Sequence, residues 1–348
     1  MKIALVGGAG LIGHTLALRM KSKGHDVLII DALTVNNKYA VASNPLYTAM
    51  IQERMDLLRE SDIPLMATDA RDYNLLSVIL GSFKPDCIVH LAAIAHIDRS
   101  NKDPFSTFDH NLRTLENVLD FARGQKTGHV VFFSSSTAYG DFQRPVVDET
   151  EPCNPKGIYG SLKYCGELLV KAYMETYSMP CTIIRPCALY GPRCVSGRVT
   201  QVFVEKAFKG EPITIFGDPE GRHDFTYIED LVNGVELVIT KEEAKGETFN
   251  ITGAQARSMK DLANIVKIHF PDLQIDMGPP DPEKPSRGTM SNGKAFSLLG
   301  YKPNWTLEKG MAEYIGWYHR FYAVHANLRY SPRSRKAKPK PEALTALR

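Results

Sequence analysis

Cysteine is scarce and unclustered. The six in 348 residues (Cys87, Cys153, Cys165, Cys181, Cys187 and Cys194) include no Cys-x-x-Cys pair, which excludes a zinc ribbon and a disulfide-stapled miniprotein. No run of about 18 apolar residues occurs, so no membrane-spanning helix is expected. The chain opens directly in an apolar strand, without the regions of a secretory leader, and a cytoplasmic location with reduced thiols is the expectation. Internal repeats are lacking too. A net excess of one sign is lacking in the body: residues 329–348 hold seven Lys/Arg against Glu342, and this +6 leaves −3 elsewhere out of a whole-chain +3. The basic excess therefore belongs to a tail and does not make a nucleic-acid face. What remains, 43% apolar and 23% charged, is the composition of a globular chain.

Short apolar runs alternate with amphipathic stretches through the first half. Residues 2–6, 27–30, 63–67, 87–91, 130–134 and 181–185 read as strands, and 11–23, 73–80, 105–123 and 159–177 carry apolar residues at helical spacing. That pattern predicts an α/β chain with a Rossmann-type doubly wound parallel sheet. Residues 34–62 are longer than a tight connection requires and read as an insertion near the cofactor, with a helix over 46–60. After residue 185 the alternation loosens, with helices over 201–209, 228–240, 259–269 and 307–322. The organisation expected is a dinucleotide-binding domain over 1–185, a smaller α/β substrate lobe over 186–325 with crossing between lobes allowed, and a basic tail over 326–348.

Gly7, Gly10 and Gly13 form G-x-x-G-x-x-G between the first strand and the first helix, with Leu11 and Ile12 at the helix start. Glycine there allows a tight turn, close approach of a pyrophosphate, and packing of helix on sheet, while the helix N-terminus offers unpaired N–H donors. Asp31 ends the second strand 18 residues after Gly13. A carboxylate in that place accepts from both ribose hydroxyls and repels a 2′-phosphate, which favours NAD over NADP. Asp69, beside Ala70, either accepts from an adenine amino group or caps the helix ahead of Tyr73. Leu91, Ala92 and Ala93 end the fourth strand with mostly small side chains, which suits backbone lying against a cofactor.

Tyr159 and Lys163, four residues apart, share one helix face. An ammonium near a phenol favours the phenolate and equips the tyrosine as a base. Ser134, Ser135, Ser136 and Thr137 stand at the carboxyl end of the fifth strand, where open sheets bind ligands, and Ser135 is placed to hold the oxygen that the tyrosine deprotonates. Asn111 sits inside a helical stretch, either facing solvent or holding a backbone group or water with its amide.

Together these blocks resemble the extended short-chain dehydrogenase/reductase family, in particular its nucleotide-sugar epimerases and dehydratases. The resemblance is carried by GGAGLIG at 7–13, SSSTAYG at 134–140, YGSLK at 159–163, RPCALYGPR at 185–193, ITIFGD at 213–218, HDFTYIEDLV at 223–232 and LLGYKP at 298–303. It implies that Tyr159 is the base, Lys163 its electrostatic partner and a ribose ligand, Ser135 the ligand of the substrate hydroxyl, and Asn111 a structural member of a tetrad. It adds Ser134 and Pro186 to the NAD contacts and makes a nucleotide-diphosphate sugar the substrate. A homodimer through the helices at 105–123 and 159–177 follows from the same likeness.

Epimerases of this family transiently oxidise a sugar hydroxyl, usually at C4, whereas dehydratases also need an acid just after the catalytic hydroxyl residue. Here Ser136 and Thr137 occupy those places, so C4 epimerisation of a UDP-sugar is preferred over 4,6-dehydration or net reduction. A protein that senses NAD without chemistry is the non-enzymatic alternative. The segment AHIDRS at 95–100 resembles the corresponding dehydratase loop, and its His96 is a candidate substrate contact; it also reads as a capped, salt-bridged loop. In the substrate half, Ala188 replaces an expected asparagine and His223 stands where relatives have arginine. The second diphosphate cation maps to Arg287 or Lys284, and Thr214 and Phe216 would line the pocket, Phe216 stacking on the base.

Overall fold

Residues 3–6 of the first apolar run are fully buried, as a parallel strand covered by helices on both faces must be. The structure, a computed structural model, describes residues 1–34, 41–95, 97–279, 287–325 and 328. Strand and helix alternate through β1 (Lys2–Val6), α1 (Leu11–Ser22), β2 (Asp26–Asp31), α2 (Pro45–Glu60), β3 (Leu65–Ala67), α3 (Tyr73–Phe83) and β4 (Cys87–His90). Then come α4 (Ile97–Lys102), α5 (Pro104–Phe108), α6 (Thr114–Gln125), β5 (His129–Phe133), β6 (Val146–Val147), α7 (Gly157–Tyr177) and β7 (Cys181–Arg185). The second half contributes β8 (Leu189–Tyr190), α8 (Val199–Phe208), β9 (Ile213–Phe216), β10 (Arg222–Asp224), β11 (Thr226–Tyr227), α9 (Ile228–Thr240) and β12 (Thr248–Asn250). It closes with β13 (Ala256–Ser258), α10 (Met259–His269), β14 (Ile275–Gly278), β15 (Thr289–Met290), α11 (Gly293–Leu299) and α12 (Leu307–Val324).

Seven parallel strands form the main sheet in the order β12-β7-β5-β4-β1-β2-β3. Ile3 of β1 lies opposite Val27 of β2 on one side and Cys87 of β4 on the other, so the winding reverses between β1 and β4. A crevice opens at the carboxyl ends of the strands at such a reversal, and that is where the site lies. The sheet separates two apolar clusters, one around Leu5, Leu16 and Ile29 and the other around Val6, Leu119 and Phe132. The expected Rossmann-type sheet is present. Its seventh strand, Thr248–Asn250, comes from the span read as the second lobe, so the chain crosses back to pair with β7. The lobe itself holds the parallel pair β9 and β14, the antiparallel pair β10 and β13, and α10, which starts in a capping box between Ser258 and Asp261.

Two local features shape the site. In the insertion, Asn44 caps α2 by accepting from the Tyr47 N–H, and Pro45 presets the first turn. The stretch 105–123, read as one helix, is broken: a π-helical turn over Asp109–Arg113 separates α5 from α6. The wide turn coincides with the inward pull on Asn111, whose Oδ1 accepts from the Ile94 N–H at 2.8 Å. Among the described residues, no helix is long and apolar enough to cross a membrane.

α7 is tied to β7 by an ion pair that water hardly reaches. Arg185 donates from Nε and a terminal nitrogen to the two carboxylate oxygens of Glu167 at 2.8 and 2.6 Å, with side-chain exposures of 3% and 0%. Removing one partner of such a pair strands a buried charge. Glu167→Ala is expected to cost about 3–5 kcal/mol in a urea unfolding titration, and the double replacement Glu167→Met with Arg185→Met to recover at least half of it. Equal loss in single and double variants would refute the pairing argument.

Candidate active site

The glycine turn after β1 is fixed by close backbone approach. At Gly7, with φ of +81°, a Cβ would lie 2.4 Å from the Ala92 nitrogen. At Gly13 it would lie 2.4 Å from the Gly8 carbonyl oxygen. The turn thus packs against the end of β4, and Gly10 begins α1 without a side-chain cap, leaving its first N–H groups for a ligand. Around this turn lies a cleft of about 370 Å³ whose walls include Leu11, Ile12, Asp31, Asp69, Ala70, Leu91, Ala92 and Ala93 besides the three glycines.

Asp31 is buried at the tip of β2, where its carboxylate accepts from the N–H groups of Ala9 (2.9 Å) and Leu33 (2.8 Å). Asp69 is not the cap of α3. Asp72 fills that role, accepting from the Leu75 N–H, and Asp69 instead pairs with Arg71 while lining the cleft. The Arg71 guanidinium holds its carboxyl below the usual range. Asn111 resolves toward a structural amide: it is buried, and its Nδ2 has no partner among the described residues. A glycine turn against backbone, uncapped helix N–H groups and an aspartate at the ribose end fit the adenine, ribose and pyrophosphate of NAD.

On α7, Tyr159 is half-buried and Lys163 buried, with the amine 6.0 Å from the centroid of the phenol ring. Lys163 Nζ donates to the Phe133 carbonyl at 2.7 Å. Burial lowers its pKa to about 7, with Glu167 pulling the other way. Burial raises the Tyr159 phenol, opposed by the charge of Arg198 and by a hydrogen bond with the Ser135 hydroxyl. Ser135 is extended and its Oγ also accepts from the Thr137 N–H. Ser134 turns away beneath the site and donates to Glu167 at 2.5 Å.

The remaining candidates lie further out. Ser136 is buried; its N–H donates to the Pro186 carbonyl, and its own carbonyl, like that of Gly140, accepts from Arg287 at 2.9 Å. Ala188 adopts a φ of +38°. Thr214 and Phe216 are on β9, where Phe216 is 57% exposed and packs on Gly278, and His223 on β10 lies 5.8 Å from the Phe225 ring. His96 and Lys284 lie outside the described residues, as does the tail apart from residue 328. Sequence reading passed over Arg54, Arg198 and Glu167. Of these only Glu167 carried a signal, lying four residues beyond Lys163 on the face that begins at Tyr159.

Known proteins resemble this chain over most of its length. The model of the NAD dependent epimerase/dehydratase family matches residues 3–252. An uncharacterized UDP-glucose epimerase of Bacillus subtilis is 30% identical, over 92% of this chain and 99% of its own. A dTDP-glucose 4,6-dehydratase of Salmonella typhimurium is 27% identical over 91% of this chain and 92% of its own. The crystal structure of a UDP-glucuronic acid 4-epimerase from Bacillus cereus, in complex with UDP-glucuronic acid and NAD, superposes with a TM-score of 0.83 at 26% identity, covering 92% of this chain and 100% of that one.

The depressed pKa of Lys163 has a signed consequence. From about pH 7 up to the ordinary lysine value, the unfolded chain binds a proton that the folded protein does not, so stability rises with pH across that window. The penalty is fully present below pH 7. Lys163→Met is expected to flatten the rise in urea midpoint between pH 7 and 9.5, and an unaltered slope would count against a buried amine.

Proposed function

The chain belongs to the NAD dependent epimerase/dehydratase family, and on that footing we propose that it epimerises a nucleotide-activated sugar at C4, with a UDP-hexose or UDP-hexuronate as substrate. NAD, when bound, supplies the reversible hydride acceptor. Tyr159 takes the proton of the sugar hydroxyl, Ser135 orients that oxygen, and the same phenol returns the proton once the keto sugar has presented its other face. Lys163, which donates to the Phe133 carbonyl, would hold the ribose of the cofactor, and Asn111 fixes the backbone at Ile94 in the cleft wall.

The observation that carries this reading is Tyr159 near the start of α7, where Gly160 packs on the Thr137 carbonyl just beyond Ser135, in a protein whose cofactor cleft is short of acids. Among the described residues lining that cleft, the carboxylates are Asp31, which ends β2, and Asp69, which follows β3. Ser136 and Thr137, after the catalytic hydroxyl, have no carboxyl group to drive loss of water. A 4,6-dehydratase is the second reading, favoured by likeness to the Salmonella enzyme. A 4-keto reductase stands behind it, and a non-catalytic NAD sensor would have no need of Ser135, Tyr159 and Lys163 together.

Incubating the purified chain with a panel of nucleotide sugars separates these outcomes. Appearance of an epimer without added cofactor is expected; a 4-keto-6-deoxy product would make it a dehydratase, and net nicotinamide consumption a reductase. Tyr159→Phe is expected to lower turnover at least 100-fold while NAD stays bound, roughly the share that a positioned base contributes. We also propose a homodimer through α5, α6 and α7, where Phe105, Phe108, Leu168 and Tyr177 are exposed. Light scattering at micromolar concentration is expected to return twice the chain mass, and a monomer there would refute the assembly.

A further inference from the structure

Apart from the cofactor cleft, a second groove of about 730 Å³ runs along α2. Ala49, Glu53, Asp56 and Glu60 line it at three- and four-residue spacing and so share one face of that helix, while Met50, Arg54 and Leu58 are buried on another. His325 and Leu328, from the end of the described chain, also line it. Three acids therefore border the groove, and among its lining residues there is no Lys or Arg.

These acids keep unused acceptor capacity. Glu53 accepts from Arg193 at Oε1, and Asp56 accepts from Gln52 and Arg59 at Oδ1. Among the described residues, no donor reaches Glu53 Oε2, Asp56 Oδ2 or either oxygen of the exposed Glu60. An ionised carboxylate offers about four acceptor sites, so further cations can be held here.

The chain itself leads into this groove. α12 ends at Val324, the Leu328 N–H donates to the His325 carbonyl at 2.8 Å, and the Leu328 side chain packs against the core that includes Leu5, Leu46 and Leu58. Residues 329–340 follow, with six Lys/Arg, Pro332 and Pro339, and no acid. Proline favours an extended course at ~3.1 Å per residue, so about eight residues match the ~24 Å length of the 16-residue α2.

We propose that the basic segment 329–340 docks along the acidic face of α2 in the same chain. Its tether selects it over other occupants. A segment joined directly to the groove acts at an effective concentration of ~1 mM, so a contact with a dissociation constant of ~100 µM is filled about nine-tenths of the time, whereas a second copy at micromolar concentration leaves it empty. A single exposed ion pair contributes little, but six cations here meet three acids ranged along one helix. The helix so covered is the one whose Arg54 donates to the Ala9 carbonyl in the glycine turn.

The test treats the full chain with a carbodiimide, which joins amines to carboxylates in contact, after isotopically light and heavy protein have been mixed in equal amounts. Cross-links from Lys336, Lys338 or Lys340 to Asp56 or Glu60 are expected within one label, with a yield that falls about fivefold or more in about 0.5 M NaCl, where exposed charges are screened. Hydrogen exchange of the α2 amides is expected to be about 3- to 10-fold slower in wild type than in the combined variant Arg333→Gln, Arg335→Gln, Lys336→Gln, Lys338→Gln and Lys340→Gln, which leaves α2 itself unaltered. Cross-links of mixed label would put a second copy in the groove and overturn the proposal. So would tail cross-links spread over acids elsewhere on the surface, or α2 exchange that the neutralised tail does not change, which would leave the groove to a separate partner.

Discussion

An amine buried beneath a phenol loses hydration, and the polar architecture on the α7 side of the sheet answers that loss. Lys163 recovers one strong hydrogen bond from the Phe133 carbonyl, which is free because β5 ends there. Glu167, one turn further along α7, faces it from the same helix, where Arg185 at the end of β7 pairs with that carboxylate and Ser134 donates to it. The groups at work in the cleft thus stand on a second layer of buried charge. Because both layers sit on regular elements, the phenol and the Ser135 hydroxyl are placed by the helix and the strand end more than by loop conformation.

The parallel sheet was legible because its inner strands are buried on both faces and so read as unbroken apolar runs. β12 was not, since Thr248–Asn250 is three residues long and makes no such run. The π-helical turn escaped for a different reason: residues 105–123 keep helical periodicity throughout, and nothing in the spacing shows that the helix widens at Asp109–Arg113, where Asn111 accepts from the Ile94 N–H. In the site, glycines, Asp31, Tyr159 and Lys163 could be named because spacing constrains them. Arg54 could not, because it sits among Glu53, Asp56 and Arg59 on a helix whose polar residues look uniformly solvated, yet it alone turns inward.

Ala188 shows how a departure from the family pattern acts through the backbone. Its φ of +38° lies where asparagine is tolerated better than alanine, so the position demands a left-handed turn whichever residue fills it. The turn is retained because Thr226 donates to the Ala188 carbonyl and β8 pairs with β11 immediately afterwards. Alanine offers no side-chain donor here, while the direction of the chain into the next loop is held by the backbone.

That loop connects cofactor and substrate halves through arginine contacts. Arg54 reaches from α2 to the Ala9 carbonyl in the glycine turn and to the Arg193 carbonyl beyond β8. Arg193 in turn donates to His14 Nε2 on α1, whose Nδ1–H is given to the Gly10 carbonyl. Burial and the two nearby guanidinium charges hold His14 well below the usual imidazole range, so it stays neutral and able to accept. The segment leading to Arg198 is therefore registered against the glycine turn, and the insertion helix, through its inward arginine, ties that turn to the loop beyond β8.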